Sequence, residues 1–281
     1  IDQASAALFG GGDDATRLEN PISSEMSHMR PALLPGLLQA AKRNQARGFA
    51  DLALFEVGAA FHGGEPGEQH TLISGLLVGQ TGPRDPHGAR RAVDVFDVKA
   101  DTEAVLSALG APAKVQILRG AGGWWHPGRH GKICLGTKKV LGVFGELHPK
   151  VLKAMDVKGP AMAFTIWPGE VPEPRSTGPD RAALALSDLQ AVERDFAFVL
   201  DADVEALAVV NAAQGADKTL IESVSVFDEF IGGSLGEGKK SLAIAVRLQP
   251  TDKTLTEDEI EAVGAKIVEK VTKATGGVLR G

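Results

Sequence analysis

Residues 190–281 show the clearest alternation of apolar and polar positions in the chain. A period of two is typical of a strand with one buried face, and it predicts strands over residues 194–201, 221–230 and 241–248. Val278 to Arg280 is long enough for a short closing edge strand. The pattern therefore predicts four strands in this part of the chain.

Two helical patterns lie between these strands. The first follows residue 201, with Asp203 as its predicted N-cap and Gly215 as its stop. The second begins at Thr256 with Glu259 three residues later, the spacing of a capping box, and ends at Gly276. Its apolar stripe consists of Ile260, Val263, Ile267, Val271 and Ala274. The order βαββαβ predicts a ferredoxin-like fold, in which two helices cover one face of an antiparallel sheet and leave the other open.

The predicted open face carries a small set of candidate binding residues. Ser241, Ala243 and Ala245 on the third strand and Ala197 on the first are small, so a planar ligand can lie flat against the sheet. Asp228 and Phe230 end the second strand on a common side. Stacking a base on an aromatic ring contributes about 1–3 kcal/mol, and a carboxylate accepts hydrogen bonds from base N–H groups. The pattern indicates a nucleotide-binding surface; a core phenylalanine and a turn-capping aspartate are the alternative interpretation.

Charge is unevenly distributed along the chain. Residues 190–281 contain 10 basic residues (Lys and Arg) and 16 acidic residues (Asp and Glu). Residues 1–189 contain 20 basic and 20 acidic residues. Affinity for a nucleic-acid backbone comes mainly from Lys and Arg, so an acidic domain is excluded as a general backbone binder. The cations available for a small positive rim around the open face are Lys239, Lys240, Arg247 and Arg280. Any RNA contact must therefore be local, and solubilising charge is the alternative role for these lysines.

Residues 1–170 contain both helical and strand-like patterns of apolar positions. An amphipathic helix is predicted over Leu33 to Ala41, with Pro35 in its first turn, and a second helix over Thr102 to Leu109. Strands are predicted over residues 52–61, 72–78, 115–118, 132–135 and 140–145, the last two as a hairpin. This part is therefore predicted to be α+β with a mainly antiparallel sheet.

The string WPGEVPEPRSTGP has four prolines and no periodicity. It predicts a Pro-rich linker over residues 171–189, between a first domain at 1–170 and a second at 190–281. No apolar stretch is long enough to span a membrane, and the start lacks the pattern of a signal peptide. The single cysteine, Cys134, excludes an internal disulfide. These observations predict a cytoplasmic protein with no membrane partner.

A cluster of histidines suggests a metal or catalytic site. The candidates are His126, His130, Cys134 and His148. Pro127 and Gly128 prevent the helix that would bring the first two imidazoles to one face, and no carboxylate stands at ligand spacing. A thiol within an apolar strand pattern is usually inert. We therefore predict structural histidines, no metal site and no catalytic residue in this chain.

Several strings along the chain resemble one family in the expected order. They are NPISSEMSHMRPALLPGLL, LALFEVGAAF, WWHPGRHGKICLG, VLGVFGELHPKVL, RDFAFVLD, FDEFIGG, KKSLAIAVRLQ and TLTEDEIEAVGAKIVEKV. Together they resemble the C-terminal third of the bacterial phenylalanyl-tRNA synthetase beta subunit. This resemblance implies a catalytic-like but noncatalytic class II synthetase domain over residues 1–170. Arg47 and Glu56 flank the position of an active relative's second motif, but their surroundings are apolar, which agrees with lost chemistry.

For residues 190–281, the resemblance implies an anticodon-binding domain. Members of the family present an Asp-x-Tyr pair to the first anticodon base; Asp228 matches this pair, whereas Phe230 replaces the tyrosine. Stacking survives this change, but the hydrogen bond of the hydroxyl is lost. Ala197 and Ser241 fall where the family contacts the anticodon, and Arg280 is a weaker correspondence.

The resemblance also implies partners and cofactors. It predicts a part of an α2β2 heterotetramer that joins phenylalanine to tRNA(Phe), with ATP bound by the alpha subunit and magnesium bound upstream of this chain. No cofactor is predicted in the chain itself. The helix at Leu33 to Ala41 is a candidate for the subunit interface, with core packing as the alternative. The competing hypothesis for the chain is a ferredoxin-like regulatory or small-ligand module on an inactive scaffold.

Overall fold

The computed structural model describes residues 1–173, 183 and 186–280. The chain divides into two compact units, Ile1–Gly178 and Pro179–Gly281. Most of the predicted Pro-rich linker, residues 174–182, 184 and 185, lies outside the described residues. No described helix combines the length and apolarity needed to cross a membrane.

The first unit is built on an antiparallel six-stranded sheet in the order β1-β2-β6-β5-β4-β3. Its elements are α1 (Gln3–Leu8), α2 (Leu34–Ala46), β1 (Leu52–Phe61), β2 (Gln69–Val78), α3 (Val95–Ala108), β3 (Gln116–Leu118), β4 (Trp125–Leu135), β5 (Lys139–Leu147), α4 (Pro149–Ala154) and β6 (Ala161–Ile166). The predicted α+β class and the hairpin of β4 and β5 are confirmed.

Both faces of this sheet are covered. In β6, Ala161 and Ala163 pack in the same core as α2, whereas Met162 and Phe164 pack in the core that contains α3. Alternate residues of a strand point to opposite faces, so α2 and α3 lie on opposite sides of the sheet. Every residue of β6 is buried as a result.

Two expectations for the helices of the first unit were wrong. Helix α3 begins at Val95, seven residues before the predicted Thr102, because Asp94 and Asp97 form a capping box there. The apolar face of α2 lies in the core, where Leu34 and Leu38 are fully buried. Burial against its own sheet makes this face unavailable as a subunit interface, so core packing is the correct interpretation.

The second unit has the predicted ferredoxin-like βαββαβ order. Its elements are β7 (Val192–Asp201), α5 (Ala206–Gln214), β8 (Ile221–Phe230), β9 (Lys239–Leu248), α6 (Glu257–Thr275) and β10 (Val278–Leu279). The sheet is antiparallel with the order β10-β7-β9-β8. Both helices pack against one face, where Phe198, Ile244 and Ile267 are among the buried residues.

The helix ends of the second unit agree only partly with prediction. The capping box of α6 is present, with the amide of Glu259 donating to Oγ1 of Thr256, and Gly276 ends the helix in the left-handed conformation. The predicted N-cap Asp203 was wrong, because α5 starts later and Glu205 occupies its N-cap position without a side-chain cap. Ala274 is exposed and lies off the buried stripe of α6.

Candidate nucleic-acid interface

A β-bulge at Phe227 interrupts the pairing of β8 with β9. Val226 lies opposite Ile244 and Asp228 lies opposite Ala243, which leaves Phe227 without a partner in the register. Ile244 is fully buried on the helix-covered face. Successive residues of a strand alternate between faces, so the extra residue moves Asp228 from the covered face to the open one.

The same bulge brings Phe230 to the open face, opposite Ser241. A strict period of two from Val224 would place Asp228 and Phe230 on the helix-covered side, in line with the apolar residues of β8. The two residues do share a side, but the bulge, which the sequence pattern did not reveal, determines which side it is. A carboxylate in line with the apolar residues Val224 and Val226 was the available signal for a bulge.

The candidate residues form two rows that cross the sheet. In the first row, Asp228 lies beside Ala243, which lies beside Ala197, and the amide of Arg280 donates to the carbonyl of Ala197 over 2.8 Å. Strands are about 4.8 Å apart, so the Asp228 and Arg280 ends of this row are separated by roughly 14 Å of backbone. The row thus has an acidic end, a basic end and two alanines between them.

The second row consists of Phe230, Ser241, Val199 and Val278. Phe230 is 43% exposed, and its ring lies against Gly232, where an added Cβ would be 2.5 Å from Cζ of the ring. An aromatic ring is therefore presented beside the acidic end of the first row, and glycine is the residue that lets it lie close to the backbone.

Ser241 does not line the surface as expected. It lies on the open face but is only 5% exposed, because the larger side chains of its cross-strand neighbours Phe230 and Val199 flank it. Its hydroxyl makes no hydrogen bond within the described residues. Ser241 therefore forms the floor between two larger side chains, and Ala197 and Ala243 are the small residues with partial exposure.

Most of the predicted positive rim is neutralised. Lys239 pairs with Asp201 at 2.6 Å, and Arg247 pairs with Glu193 at 3.2 Å and with Glu222 at 2.6 Å. Lys240 was wrongly placed on this rim, because it is buried on the helix-covered side and pairs with Glu229 at 3.2 Å. Of the four predicted rim cations, Arg280 is the one that has no ion pair within the residues that the structure describes.

Two features near this face were missed by the sequence analysis. Phe227 is 58% exposed at the bulge and precedes Asp228 in the chain. Asp195 lies opposite Ala245 on the open face and, like Asp228, makes no ion pair in the described part of the chain. The surface is therefore aromatic and acidic, with a single free cation at its far edge among the rim residues.

The histidine cluster of the first unit has structural partners. Nδ1 of His130 lies 2.6 Å from the carbonyl oxygen of His126, and Nε2 accepts from the amide of Ala121 over 2.8 Å. Nδ1 of His148 accepts from the amide of Lys150 at the start of α4. Cys134 is buried. Among the described residues, no group of three or more His, Cys, Asp or Glu is arranged to hold a metal ion.

Comparison with known protein families assigns both units. The family model for the phenylalanyl tRNA synthetase beta chain CLM domain matches residues 1–167, more than half of the chain. The chain belongs to the phenylalanyl-tRNA synthetase beta chain family. In this member of the family, residues 187–280 match the model for a ferredoxin-fold anticodon binding domain, which coincides with the sheet that carries the open face.

Relatives of the chain include phenylalanine–tRNA ligase beta subunits from several bacteria. Those of Ruegeria pomeroyi, Cereibacter sphaeroides and Rhodospirillum rubrum are 80%, 68% and 51% identical to it over 281, 285 and 282 residues. Each alignment covers 100% of this chain and 35% of the relative. The chain thus spans about a third of the length of these relatives.

Proposed function

We propose that the open face of the second unit binds the anticodon region of tRNA(Phe), with Phe230 and Asp228 as its central residues. The bulge at Phe227 is the observation that carries this proposal, because it turns both side chains away from the helices and toward solvent. The match of residues 187–280 to an anticodon-binding domain supports it.

Phe230 and Asp228 supply two kinds of contact. A base stacked on the ring of Phe230 gains about 1–3 kcal/mol. Asp228 lies in the neighbouring row and accepts hydrogen bonds from amino or ring N–H groups on the edge of that base. The alanines at 197 and 243 leave room for the planar base to approach the sheet, and Arg280 contacts a phosphate at the far end of the row.

The charge of the second unit restricts its role. Residues 190–281 carry a formal net charge of −6, and most of the rim cations are already paired. Binding of the phosphate backbone must therefore come from other parts of the enzyme. The second unit contributes discrimination at the anticodon and little general affinity.

The whole enzyme supplies the chemistry. As a part of a phenylalanine–tRNA ligase beta subunit, the chain works with an alpha subunit in an α2β2 heterotetramer in the cytoplasm. The alpha subunit uses ATP to attach phenylalanine to tRNA, and the full enzyme also uses magnesium. Glu56 is ion-paired with Arg30 at 2.6 Å, and the described residues offer no carboxylate cluster for a metal. The first unit is a noncatalytic scaffold.

Titration of tRNA(Phe) against the assembled enzyme tests this function. Phe230→Ala is expected to weaken binding by about tenfold or more, because one stacked base is lost. Phe230→Tyr should bind at least as tightly as the wild type, since the ring is kept and a hydroxyl is added. Asp228→Asn tests the edge contact separately, because it exchanges a pure acceptor for a group that both donates and accepts.

Glu261→Gln is the matched control for charge, because Glu261 is exposed on α6, the helix that covers the other face of the sheet. It should leave the affinity for tRNA unchanged. If Phe230→Ala and Asp228→Asn also leave the affinity unchanged, the open face does not read the anticodon. Aminoacylation by this chain without an alpha subunit would contradict the noncatalytic role of the first unit.

A further inference from the structure

Cations are concentrated in two short stretches of the first unit. Residues 42–47 and 148–158 together contain six Lys and Arg residues and one carboxylate, whereas residues 1–189 as a whole contain 20 basic and 20 acidic residues. All six cations are exposed. We call them the basic surface: Lys42, Arg43, Arg47, Lys150, Lys153 and Lys158. Charge is therefore distributed unevenly within the first unit, although residues 1–189 are neutral in sum.

The fold brings these two stretches together. Leu38 of α2 packs in the same core as Val151 of α4 and Met155, so both helices lie on one face of the sheet. The side-chain amide of Gln45 donates to the carbonyl of Lys158 over 2.7 Å, and its side-chain oxygen accepts from the amide of Lys158 over 2.9 Å. The end of α2 is therefore held directly against the segment that follows α4.

The single carboxylate of these stretches, Asp156, lies between them. It pairs with Lys42 at 3.1 Å, and its amide donates to the carbonyl of Lys153 over 3.3 Å. Lys42 thus lies beside the end of α4. The other five cations make no ion pair and no side-chain hydrogen bond with any residue that the structure describes. Six cations against one carboxylate leave an excess of five positive charges.

Each of the two helices presents a pair of cations to solvent. Arg43 and Arg47 are four residues apart, the spacing that places two side chains on one face of a helix, about 5–6 Å from each other. The buried residues of α2 occupy other positions. Lys150 and Lys153 are three residues apart on α4, and the two residues between them are buried. Both pairs therefore point away from the core.

Stabilisation of the helices explains only part of this group. Cations near the C-terminus of a helix interact favourably with the helix dipole, which accounts for Arg43 and Lys153 in the last turns of α2 and α4. Lys150 lies in the first turn of α4, where the same dipole disfavours a positive charge. Lys158 lies outside both helices. An anionic partner, in contrast, accounts for the whole group.

We propose that the basic surface binds the phosphate backbone of tRNA. This inference rests on the proposed binding of tRNA(Phe), and it supplies the backbone affinity that the acidic second unit lacks. Each phosphate that a Lys or Arg neutralises releases counterions, so several unpaired cations on one face give an affinity that falls with salt. Contacts to phosphates position an RNA without reading its sequence, which leaves discrimination to the open face of the second unit.

The salt dependence of tRNA binding by the assembled enzyme tests this inference. We expect the double variant Arg43→Gln/Lys153→Gln to bind tRNA(Phe) about tenfold more weakly than the wild type at about 50 mM KCl. The slope of log K against log salt should become shallower by about 2, because two phosphate contacts are lost. A non-cognate tRNA should lose affinity by the same factor, since these contacts carry no sequence information.

Two further double variants serve as controls. Lys99→Gln/Lys138→Gln removes the same net charge from α3, on the opposite face of the sheet, and from the turn between β4 and β5. It should leave the affinity for tRNA(Phe) and the slope unchanged. Arg43→Lys/Lys153→Arg keeps both charges at the basic surface and should show the slope of the wild type.

Three results would overturn the proposal. If Arg43→Gln/Lys153→Gln keeps the slope of the wild type, the basic surface does not contact phosphates. A lower stability to urea with an unchanged slope would assign these cations to the helix ends. An equal effect of Lys99→Gln/Lys138→Gln would show that net charge alone determines the salt dependence.

Phe230→Ala separates this inference from the anticodon proposal. It removes a stacking contact and no charge, so it should weaken the binding of tRNA(Phe) without changing the slope. An unchanged affinity of Phe230→Ala would contradict the anticodon proposal alone. The slope of the Arg43→Gln/Lys153→Gln variant decides the inference about the basic surface.

Discussion

The sheets of the two units differ in how many of their faces are covered. The first unit has helices on both faces, and every residue of its strand β6 is buried. The second unit has helices on one face, so β9 alternates between buried residues such as Ile244 and partly exposed ones such as Ala245. On a covered face a side chain is constrained by volume, whereas on an open face it is available for a ligand.

The largest expected effect is the difference in stability between two substitutions on opposite faces of β9. Ile244→Ala should lower the free energy of unfolding of the second unit by about 2–5 kcal/mol, because it leaves a cavity under the helices. Ala245→Ser, one residue later on the open face, should change it by no more than about 0.5 kcal/mol. Native-state hydrogen exchange of the β9 amides measures this unit separately from the first. Similar effects of both changes would show that the open face is packed like the covered one.

An intermediate effect is expected at two glycines that lie beside phenylalanine rings. A Cβ at Gly75 would be 2.2 Å from Cε1 of Phe164, a ring that is 5% exposed, so the clash falls on a buried side chain. Gly75→Ala should therefore destabilise the first unit by about 1–3 kcal/mol. Urea unfolding followed by tryptophan fluorescence measures this, because all three tryptophans lie in the first unit.

Gly232→Ala is the matched change on the open face. Its Cβ would collide with the ring of Phe230, but that ring is 43% exposed and can turn toward solvent. We expect a stability change within about 0.5 kcal/mol and a clear loss of affinity for tRNA(Phe). If Gly232→Ala instead lowers stability strongly and leaves the affinity for tRNA(Phe) unchanged, the ring of Phe230 is packed like a core side chain and does not contact the tRNA.

The smallest expected effect is a pH-dependent change in stability at the N-terminus of α6, one of the two helices that cover the sheet of the second unit. The hydrogen bond from the ammonium of Lys253, together with that from the amide of Thr256, holds the pKa of Glu259 below its ordinary value. A lowered folded-state pKa stabilises the fold above the unfolded pKa of about 4.3, and this contribution is lost as the pH falls through the lower value.

Glu259→Gln keeps an acceptor for the capping box and removes the titration. The variant should unfold at slightly lower urea than the wild type at pH 7, and the difference should shrink as the pH falls below the folded pKa of Glu259. Midpoints followed by far-UV circular dichroism across this pH range measure it. A difference that grows toward acid pH would contradict the assigned sign.

The sequence predicted those parts of the fold that depend on local periodicity. The bounds of β1 and β8 match the predicted strands over residues 52–61 and 221–230. The start of α3 was missed, because the capping side chains of Asp94 and Asp97, rather than the hydrophobic pattern, decide the boundary. The cap consists of a few side-chain hydrogen bonds, from the amides of residues 94, 96 and 97 to the carboxylates of Asp94 and Asp97, which a hydrophobic pattern does not report.

The residues of the candidate site could be predicted from the sequence, but their exposure and their ion pairs could not. Asp228, Phe230 and Ala197 lie on the open face, yet periodicity alone would have turned the first two toward the helices. The burial of Ser241 and the ion pairs of Lys239 and Arg247 depend on neighbours from other strands. Such contacts between strands are set by register, and a single sequence contains no direct measure of register.

The bulges of β8 also influence self-association. This strand lies at the edge of its sheet and exposes Val226, Phe227 and Phe230, a composition that favours pairing with the edge of another molecule. Its register shifts at Glu222 and again at Phe227. Each shift breaks the regular row of amides and carbonyls that an incoming strand would need. The irregularity that exposes an aromatic ring to a ligand thus also protects the chain from aggregation through that edge.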